Sequence, residues 1–395
     1  MSDLIIKAVI GANYGDEGKG LVTNYFCKQF ADNNQKCAVI CTNGGAQRGH
    51  TVCTPSGLRH VFHHFGSGTF SGADTFFSPN FIINPMQFAK EYKELKALGF
   101  EPKSYFMSYC NSITTPFDMI LNQIIEEHRG KDKHGSTGMG IWETLLRQYN
   151  GIKFNLRYIL YEKKTNLYRR LLLIRDKYIL QRLKENGIET IPDKWKDIIY
   201  SDKLIHNFFC DISFLLEHTK IVPSEQFIHY DAIIFENGQG LLLDHDIDPI
   251  HSTPSNTGAR NINLIKNKDI VNSLNITDIE LCYVTRTYLT RHGAGPFPEE
   301  SSTFASDYKL FDKTNIYNPF QEHIRYGMLN NSKLIDRIVK DFNSIDYENS
   351  FSKLSLAITH TNEYDKITND SRLNIFNNVY TSDNEYDLKK FNLNK

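Results

Sequence analysis

The sequence predicts an α/β protein, and three observations carry that prediction. Short apolar runs of strand length recur along the chain and alternate with longer stretches of helical spacing. Most of these runs are followed by polar or glycine-rich loops, the arrangement in which α/β proteins present ligand-binding loops at strand ends. The 395 residues are also enough to bury a large core, as one elaborated domain or two.

The first strand is predicted over 4–10, from Leu4-Ile5-Ile6 and Ala8-Val9-Ile10. A loop with glycines at 11, 15, 18 and 20 follows, and a helix is predicted from Leu21. Glycines let backbone N–H groups close on an anion, and a helix start adds its positive dipole end. The spacing is not that of a Walker A loop, because Asn13 stands where that motif needs its first glycine. An acid, Asp16, sits inside the cradle, which suits metal binding or proton abstraction better than phosphate binding alone. Further strands are predicted at 37–41, 81–83, 231–235, 281–285 and 354–358, and helices at 86–98 and 113–130. Residues 155–190 carry Leu, Tyr, Arg and Lys at helical spacing, with few breakers before Asn186-Gly187. The stretch 150–225 therefore reads as a helical subdomain or insertion, its basic residues a solvated helix face. The polar stretch 382–395 is expected to fray.

Composition narrows the function classes. Charged residues make up 23% and the formal net charge is −1, so there is no bias toward nucleic acid. No apolar run approaches the roughly 18–20 residues that span a bilayer, and Met1-Ser2-Asp3-Leu4 does not open a secretory signal. The seven cysteines are scattered, with no CxxC pair, and read as reduced thiols of a cytoplasmic protein. His60, His63 and His64 have no carboxylate or cysteine at matching spacing, so a strand or loop surface is expected there in place of a metal site.

Six polar loops carry the chemistry. They are the Asp16/Lys19 loop, Asn43–Thr51, His134–Gly140, Glu236–Gly240, Ser252–Gly258 and Thr290–Pro298. Any one alone reads as a turn. Six on one α/β chain, mixing glycine with hydroxyl, amide and charged groups, read as a ligand site.

These motifs resemble the adenylosuccinate synthetase family. Gly-Asp-Glu-Gly-Lys-Gly stands at 15–20 and Gln-Arg-Gly-His-Thr at 47–51. Ser-Thr-Gly-Met-Gly-Ile follows at 136–141, Glu-Asn-Gly-Gln-Gly at 236–240 and Ser-Asn-Thr at 255–257. Thr-Arg-His-Gly-Ala-Gly-Pro-Phe-Pro at 290–298 completes the set, in the family's order. The resemblance covers about 1–300 and is thin beyond. It implies one α/β domain over 1–395 on a central, mostly parallel sheet with helical excursions, working as a homodimer. It implies a purine-biosynthetic ligase that joins L-aspartate to C6 of a 6-oxopurine nucleoside monophosphate through a 6-phosphoryl intermediate. Asp16 would be the general base at N1, His50 the proton or hydrogen-bond donor, and Lys19 with Mg²⁺ the neutralising cations. The Mg²⁺ would sit on Asp16 and the Gly49 carbonyl. Gln239 would hold the purine, and Gln47, Ser136, Thr137 and Thr253 would bind substrate. Arg147 would reach a partner subunit's nucleotide. Gly15, Gly18, Gly20, Gly49, Thr51, Thr359 and Asn362 would contact the nucleoside triphosphate.

Three departures from the family pattern bear on specificity. The guanine-reading Thr-Lys-x-Asp is replaced by Thr359-His360-Thr361-Asn362, with Asp365 downstream. An asparagine offers a donor and an acceptor, which fits adenine better than guanine, so ATP or dATP is expected as donor in place of GTP. The aspartate-binding loop is replaced by Asn318–Gly327, where Arg325 is a bidentate candidate for the aspartate carboxylate, alongside Thr287, Thr290 and Arg291. Ala46-Gln47-Arg48 makes the third loop bulkier and more basic than His-Asn-Ala. Retention of Asp16 favours IMP or dIMP as substrate. A carboxylate also accepts from both N1–H and the 2-amino group of (d)GMP, the substrate of the family's phage branch. The same chemistry making 2-aminoadenylosuccinate for modified phage DNA stays open, as does a non-catalytic nucleotide sensor. The expected location is the cytoplasm, that of the host if the source is viral.

Overall fold

The computed structural model describes residues 4–252, 255–269, 276–310, 312, 315, 317, 319–345 and 353–392. In chain order the strands are β1 (Leu4–Gly11), β2 (Cys37–Cys41), β3 (His50–Cys53), β4 (Arg59–Phe62), β5 (Asp74–Phe77), β6 (Ser104–Phe106) and β7 (Thr219–Ile221). They continue as β8 (Ala232–Gly240), β9 (Ile276–Arg286), β10 (Leu289–Arg291), β11 (Arg325–Gly327), β12 (Lys353–Thr359), β13 (Asn378–Thr381) and β14 (Lys389–Phe391). Ten of them form one sheet in the order β14-β13-β12-β9-β1-β8-β2-β5-β6-β7. Every pairing in it is parallel except β13 with β14. The central strands read as unbroken apolar runs because both faces are covered: Cys37–Cys41 and Ala232–Phe235 are buried throughout.

Helices cover the two faces. α1 (Lys19–Asp32) packs on Val9, Val39 and Ile234. α2 (Pro85–Ala97) starts at an Asn84 cap and α3 (Pro116–Arg129) at a Thr115/Asp118 capping box, each with proline in its first turn. α4 (Ile141–Tyr149) leads into α5 (Leu156–Tyr161), α6 (Lys164–Leu173), α7 (Ile179–Glu185), α8 (Asp193–Ile199) and α9 (Asp202–His218). Their apolar residues, among them Leu171, Ile179, Phe208 and Leu215, join Phe77, Phe88 and Phe117 in one core cluster. On the other face α10 (Ala259–Asp269) and α12 (Asn331–Phe342), with the short α11 (Phe304–Asp307) between them in sequence, bring Ile262, Leu334 and Ile338 onto Ile6, Tyr283 and Leu356.

Two expectations are corrected. Phe81-Ile82-Ile83 is buried but is no strand; only Ile83 bridges, to Ile113, because Asn84 and Pro85 already begin α2. The polar tail does not simply fray: β14 pairs with β13 and Leu388 is buried beside it, while 393–395 lie outside the described residues. Five of the seven cysteine thiols are buried, and Cys110 and Cys210 are exposed. No helix among the described residues is long and apolar enough to cross a membrane.

Candidate active site

The loop between β1 and α1 is held from inside. The Glu17 carboxylate accepts the backbone N–H groups of Asn13 and Gly15, each at 2.9 Å, and Lys19 Nζ lies 3.7 Å from its other oxygen. Burial pushes the Glu17 carboxyl up against the pull of Lys19. Arg337 donates to Ala12 O at 2.7 Å, Arg286 donates to Asp16 O, and Thr359 Oγ1 donates to Glu17 O at 2.9 Å. Gly18 opens α1 at φ +94°, and the first turn has neither a side-chain cap nor an acid, so its N–H groups are available to an anion. Gly240 must stay bare, since a Cβ there would lie 2.4 Å from Asn13 O. With the loop fixed by its neighbours, Asp16 is the acid left facing outward, its Oδ2 3.5 Å from His292 Nε2.

A second polar set is buried behind β3. His50 Nδ1 lies 3.0 Å from Glu236 Oε1, and Arg48 Nη1 lies 3.4 Å from Glu236 Oε2. Burial opposes the charge on Glu236, but His50, Arg48 and Ser67 outweigh it and hold the carboxyl down to about 2. Burial lowers His50 to about 4 despite Glu236, so near neutral pH a neutral imidazole stands beside a carboxylate. A proton on Nδ1 then faces Glu236. Arg48 also donates to the carbonyls of His63, His64 and Phe65. Its charge is therefore used inside the protein. Of the histidines nearby, His60 stands in strand β4 as expected, but it is buried with His64, and His63 is half-buried. Glu91 of α2 accepts the backbone N–H groups of His63, His64 and Phe65, while His64 Nε2 accepts Asn84 N at 2.8 Å. Burial lowers His64 to about 3.

These loops enclose a cavity of about 780 Å³. Gly15, Asp16, Lys19, Gln47, Gly49, His50, Ser136, Thr137 and Gln239 all line it, brought from the ends of β1, β2 and β8 and from the turn between α3 and α4. Both amide atoms of Gln47, Gln239 Oε1, Ser252 Oγ and His292 Nδ1 are buried there without a hydrogen-bond partner. Leaving such an atom unpaired costs about 1–3 kcal/mol, and a polar ligand in the cavity is one way to meet that cost. Gln239 also sits at φ +63°, a strained conformation of the kind that collects at functional sites. Among the described residues no cluster of three or more metal-ligating side chains exists. Mg²⁺ needs none: it is held by one or two carboxylates, phosphate oxygens and waters, and Asp16 with the exposed Gly49 fits that role.

Other expected residues stand apart from the cavity. Arg147 is fully buried, bidentate on Asp118 at 2.8 and 2.9 Å and bonded to the carbonyls of Ile113 and Ile152. Its guanidinium is not offered to a partner's nucleotide, which corrects that expectation. Arg291 bonds Asp248 Oδ2 at 2.9 Å and the carbonyls of Ala294 and Pro296. Arg325 grips Glu300 and the carbonyls of Gly293 and Gly295, so the carboxylate it binds is one of this chain. Thr287 Oγ1 donates to His360 O at 3.1 Å and Thr290 is buried in β10. Gly20 and Thr51 pack against each other where α1 crosses β3. Thr359 supports the cradle and Asn362 is exposed in the turn beyond β12. Thr253 lies outside the described residues. Glu236, His251 and His292 were not singled out in the sequence, although Glu236 and His292 stand inside motifs that were.

The adenylosuccinate synthetase family profile matches residues 8–325. Adenylosuccinate synthetase of Picrophilus torridus is 28% identical over 302 residues, 75% of this chain and 65% of that protein. That of Microcystis aeruginosa is 30% identical over 306 residues, 74% and 62% respectively. The chain thus spans less than two thirds of the length of these relatives. Among solved structures, fully ligated adenylosuccinate synthetase from Plasmodium falciparum superposes with a TM-score of 0.65 at 21% identity, covering 90% of this chain and 77% of that one. The succinoaminodeoxyadenylate synthetase (PurZ) of cyanophage S-2L, bound to dGMP and dATP as an energy donor, gives 0.62 at 13% identity, covering 98% and 95%. With a profile match over most of its length and the same ordered motifs on the same fold, the chain belongs to the adenylosuccinate synthetase family.

Proposed function

We propose that this chain is a ligase that joins L-aspartate to C6 of a 6-oxopurine nucleoside 5′-monophosphate, with ATP or dATP first phosphorylating O6. The observation that carries the reading is the meeting of Asp16, Lys19, His50 and Gln239 around one cavity whose buried polar atoms lack partners. Asp16 removes the N1 proton, density moves to O6, and O6 attacks the γ-phosphorus as the bond to the nucleoside diphosphate breaks. The Lys19 ammonium offsets the charge that develops on the phosphoryl oxygens. His50, steadied by Glu236, accepts a proton as the triphosphate's charge arrives and donates a hydrogen bond to the reacting oxygen. When bound, Mg²⁺ on Asp16 and the Gly49 carbonyl supplies further charge neutralisation. The aspartate amine then displaces phosphate at C6, while Gln239 and Gln47 hold the base and Ser136 and Thr137 face its phosphate.

Adenine specificity at the donor site has structural support. Asp365, three residues past Asn362, accepts Ile367 N, Thr368 N and Thr368 Oγ1, and Glu363 in the turn itself accepts the Tyr288 hydroxyl. Both carboxylates are thus engaged within the chain, while Asn362 is exposed. The substrate favoured by the retained Asp16 is IMP or dIMP. A second reading, (d)GMP, is favoured by the near full-length superposition on the cyanophage protein, whose bound molecules are dGMP and dATP. A homodimer in the cytoplasm, of the host if the chain is viral, completes the proposal.

The test is a substrate matrix: IMP, dIMP, GMP and dGMP against ATP, dATP and GTP, with L-aspartate, read by the mass of the succinyl product. Product with an adenine donor is expected, and the productive monophosphate identifies the purine. Phosphate release indifferent to aspartate would overturn the ligase reading in favour of a hydrolase, and binding without turnover would make the chain a sensor.

A further inference from the structure

Assigning a monophosphate substrate raises a question the saturated arginines leave open: Arg147 is buried on Asp118, so another group must meet the 5′-phosphate. We propose that His251 of this same chain is the phosphate-binding side chain, positioned by Asp248 and, through it, by Arg291; the inference rests on the ligase reading above.

The geometry is a three-residue relay. Asp248 Oδ1 accepts His251 N and lies 3.0 Å from His251 Nδ1, while Asp248 Oδ2 accepts Arg291 Nη2 at 2.9 Å. With Nδ1 committed to Asp248, Nε2 is the ring nitrogen left to a ligand. His251 lines the cavity together with Ser136 and Thr137, the residues proposed above for the same phosphate; Ser136 Oγ also bonds the Asn122 amide. Beside His251, Ser252 Oγ is buried with no hydrogen-bond partner, a second donor available to the same phosphate. The groups facing His251 are Asp248 and Arg291 on one side and the His134 ring, 5.5 Å away, on the other. Arg129 and Glu126 line the cavity as well and act electrostatically on His134. The Glu126 carboxylate is occupied by Arg129 Nη1 at 2.8 Å and by Gly135 N and Ser136 N, so it holds the loop and does not confront the phosphate.

To bond Asp248 through Nδ1 and a phosphate through Nε2, the ring carries a proton on each nitrogen, and the row phosphate–His251–Asp248–Arg291 alternates in charge. It also gives Arg291 a role: it fixes Asp248 and does not touch substrate.

Calorimetric titration tests this without requiring turnover. IMP, dGMP, the phosphate-free nucleosides inosine and deoxyguanosine, and ATP are titrated into the wild type, His251→Ala and His251→Gln, with thermal unfolding as the folding control. His251→Ala is expected to weaken monophosphate binding by about tenfold or more and to leave nucleosides and ATP unchanged. His251→Gln, whose amide donates without charge, falls between. Equal losses for nucleoside and nucleotide, or no loss, overturn the proposal. Wild type that binds monophosphate but forms no succinyl product refutes the ligase reading and leaves the subsite standing. Product formation with unchanged binding in His251→Ala refutes the subsite alone, and a wild type that binds no monophosphate overturns both.

Discussion

Gln47, Gln239 and His292 keep buried polar atoms without partners, whereas Arg147, Arg291 and Arg325 give theirs to carboxylates and carbonyls of their own chain. Both groups belong to motif-bearing segments and both are polar, so residue type alone does not separate them. The difference lies in what each has been given to bind. An unpaired buried amide is stable only if something outside the chain meets it, and a paired guanidinium already has its ligand. On the proposed function the first group would read substrate, while the second holds the loops around it.

Four experiments can break or sharpen that contrast. The largest effect is expected from Asp16→Asn, which should lower the single-turnover rate of phosphoryl transfer by about 10²–10⁴-fold with the melting temperature unchanged. A loss below tenfold removes Asp16 as the base. Arg147→Ala should cost about 3–5 kcal/mol in urea unfolding, because Asp118 is left buried and unpaired, while the folded fraction keeps its monophosphate affinity. A selective loss of that affinity would move Arg147 to the other group.

Acid sensitivity comes next. Burial lowers His50 to about 4 and His64 and His360 to about 3, from an ordinary 6.5. Below about pH 6.5 the unfolded chain therefore binds protons that the folded one refuses, and stability falls as pH drops toward 4. Glu236, held down to about 2, adds a further loss as its own carboxylate protonates below about 4.5. His64→Gln, which keeps an acceptor for Asn84 N, should flatten the slope of denaturation midpoint against pH. The smallest effect is expected from Arg325→Ala. Its pair with Glu300 is partly exposed, so stability should change by no more than about 1 kcal/mol. The KM for aspartate should stay within about threefold; a larger rise would return Arg325 to the substrate.

The contrast also explains what could be read from residues alone. β1, β2, β8, β9 and β12 were legible because burial on both faces makes them continuous apolar runs. β6, β7 and β14, three residues each, carry too little pattern, and their placement depends on the strand already beside them. Glycine motifs were legible because a close approach or a positive φ is a local demand, as at Gly18. The fates of the arginines were not: Asp118 lies 29 residues from Arg147 and Asp248 lies 43 from Arg291, and only the fold brings them together. Glu236 and His50 are further apart still, so the carboxylate behind the imidazole could not be paired from spacing.

The division of the thiols has a practical consequence. With Cys110 and Cys210 exposed and Cys27, Cys37, Cys41, Cys53 and Cys282 enclosed, a maleimide reagent added to intact protein should modify two sulfurs per molecule and leave five untouched. Cys27 and Cys37 sit 3.6 Å apart between α1 and β2, about two turns along the helix that begins at Lys19. Their labelling is a clock for the lifting of α1 from the sheet, and the mass of the tagged protein reads its rate.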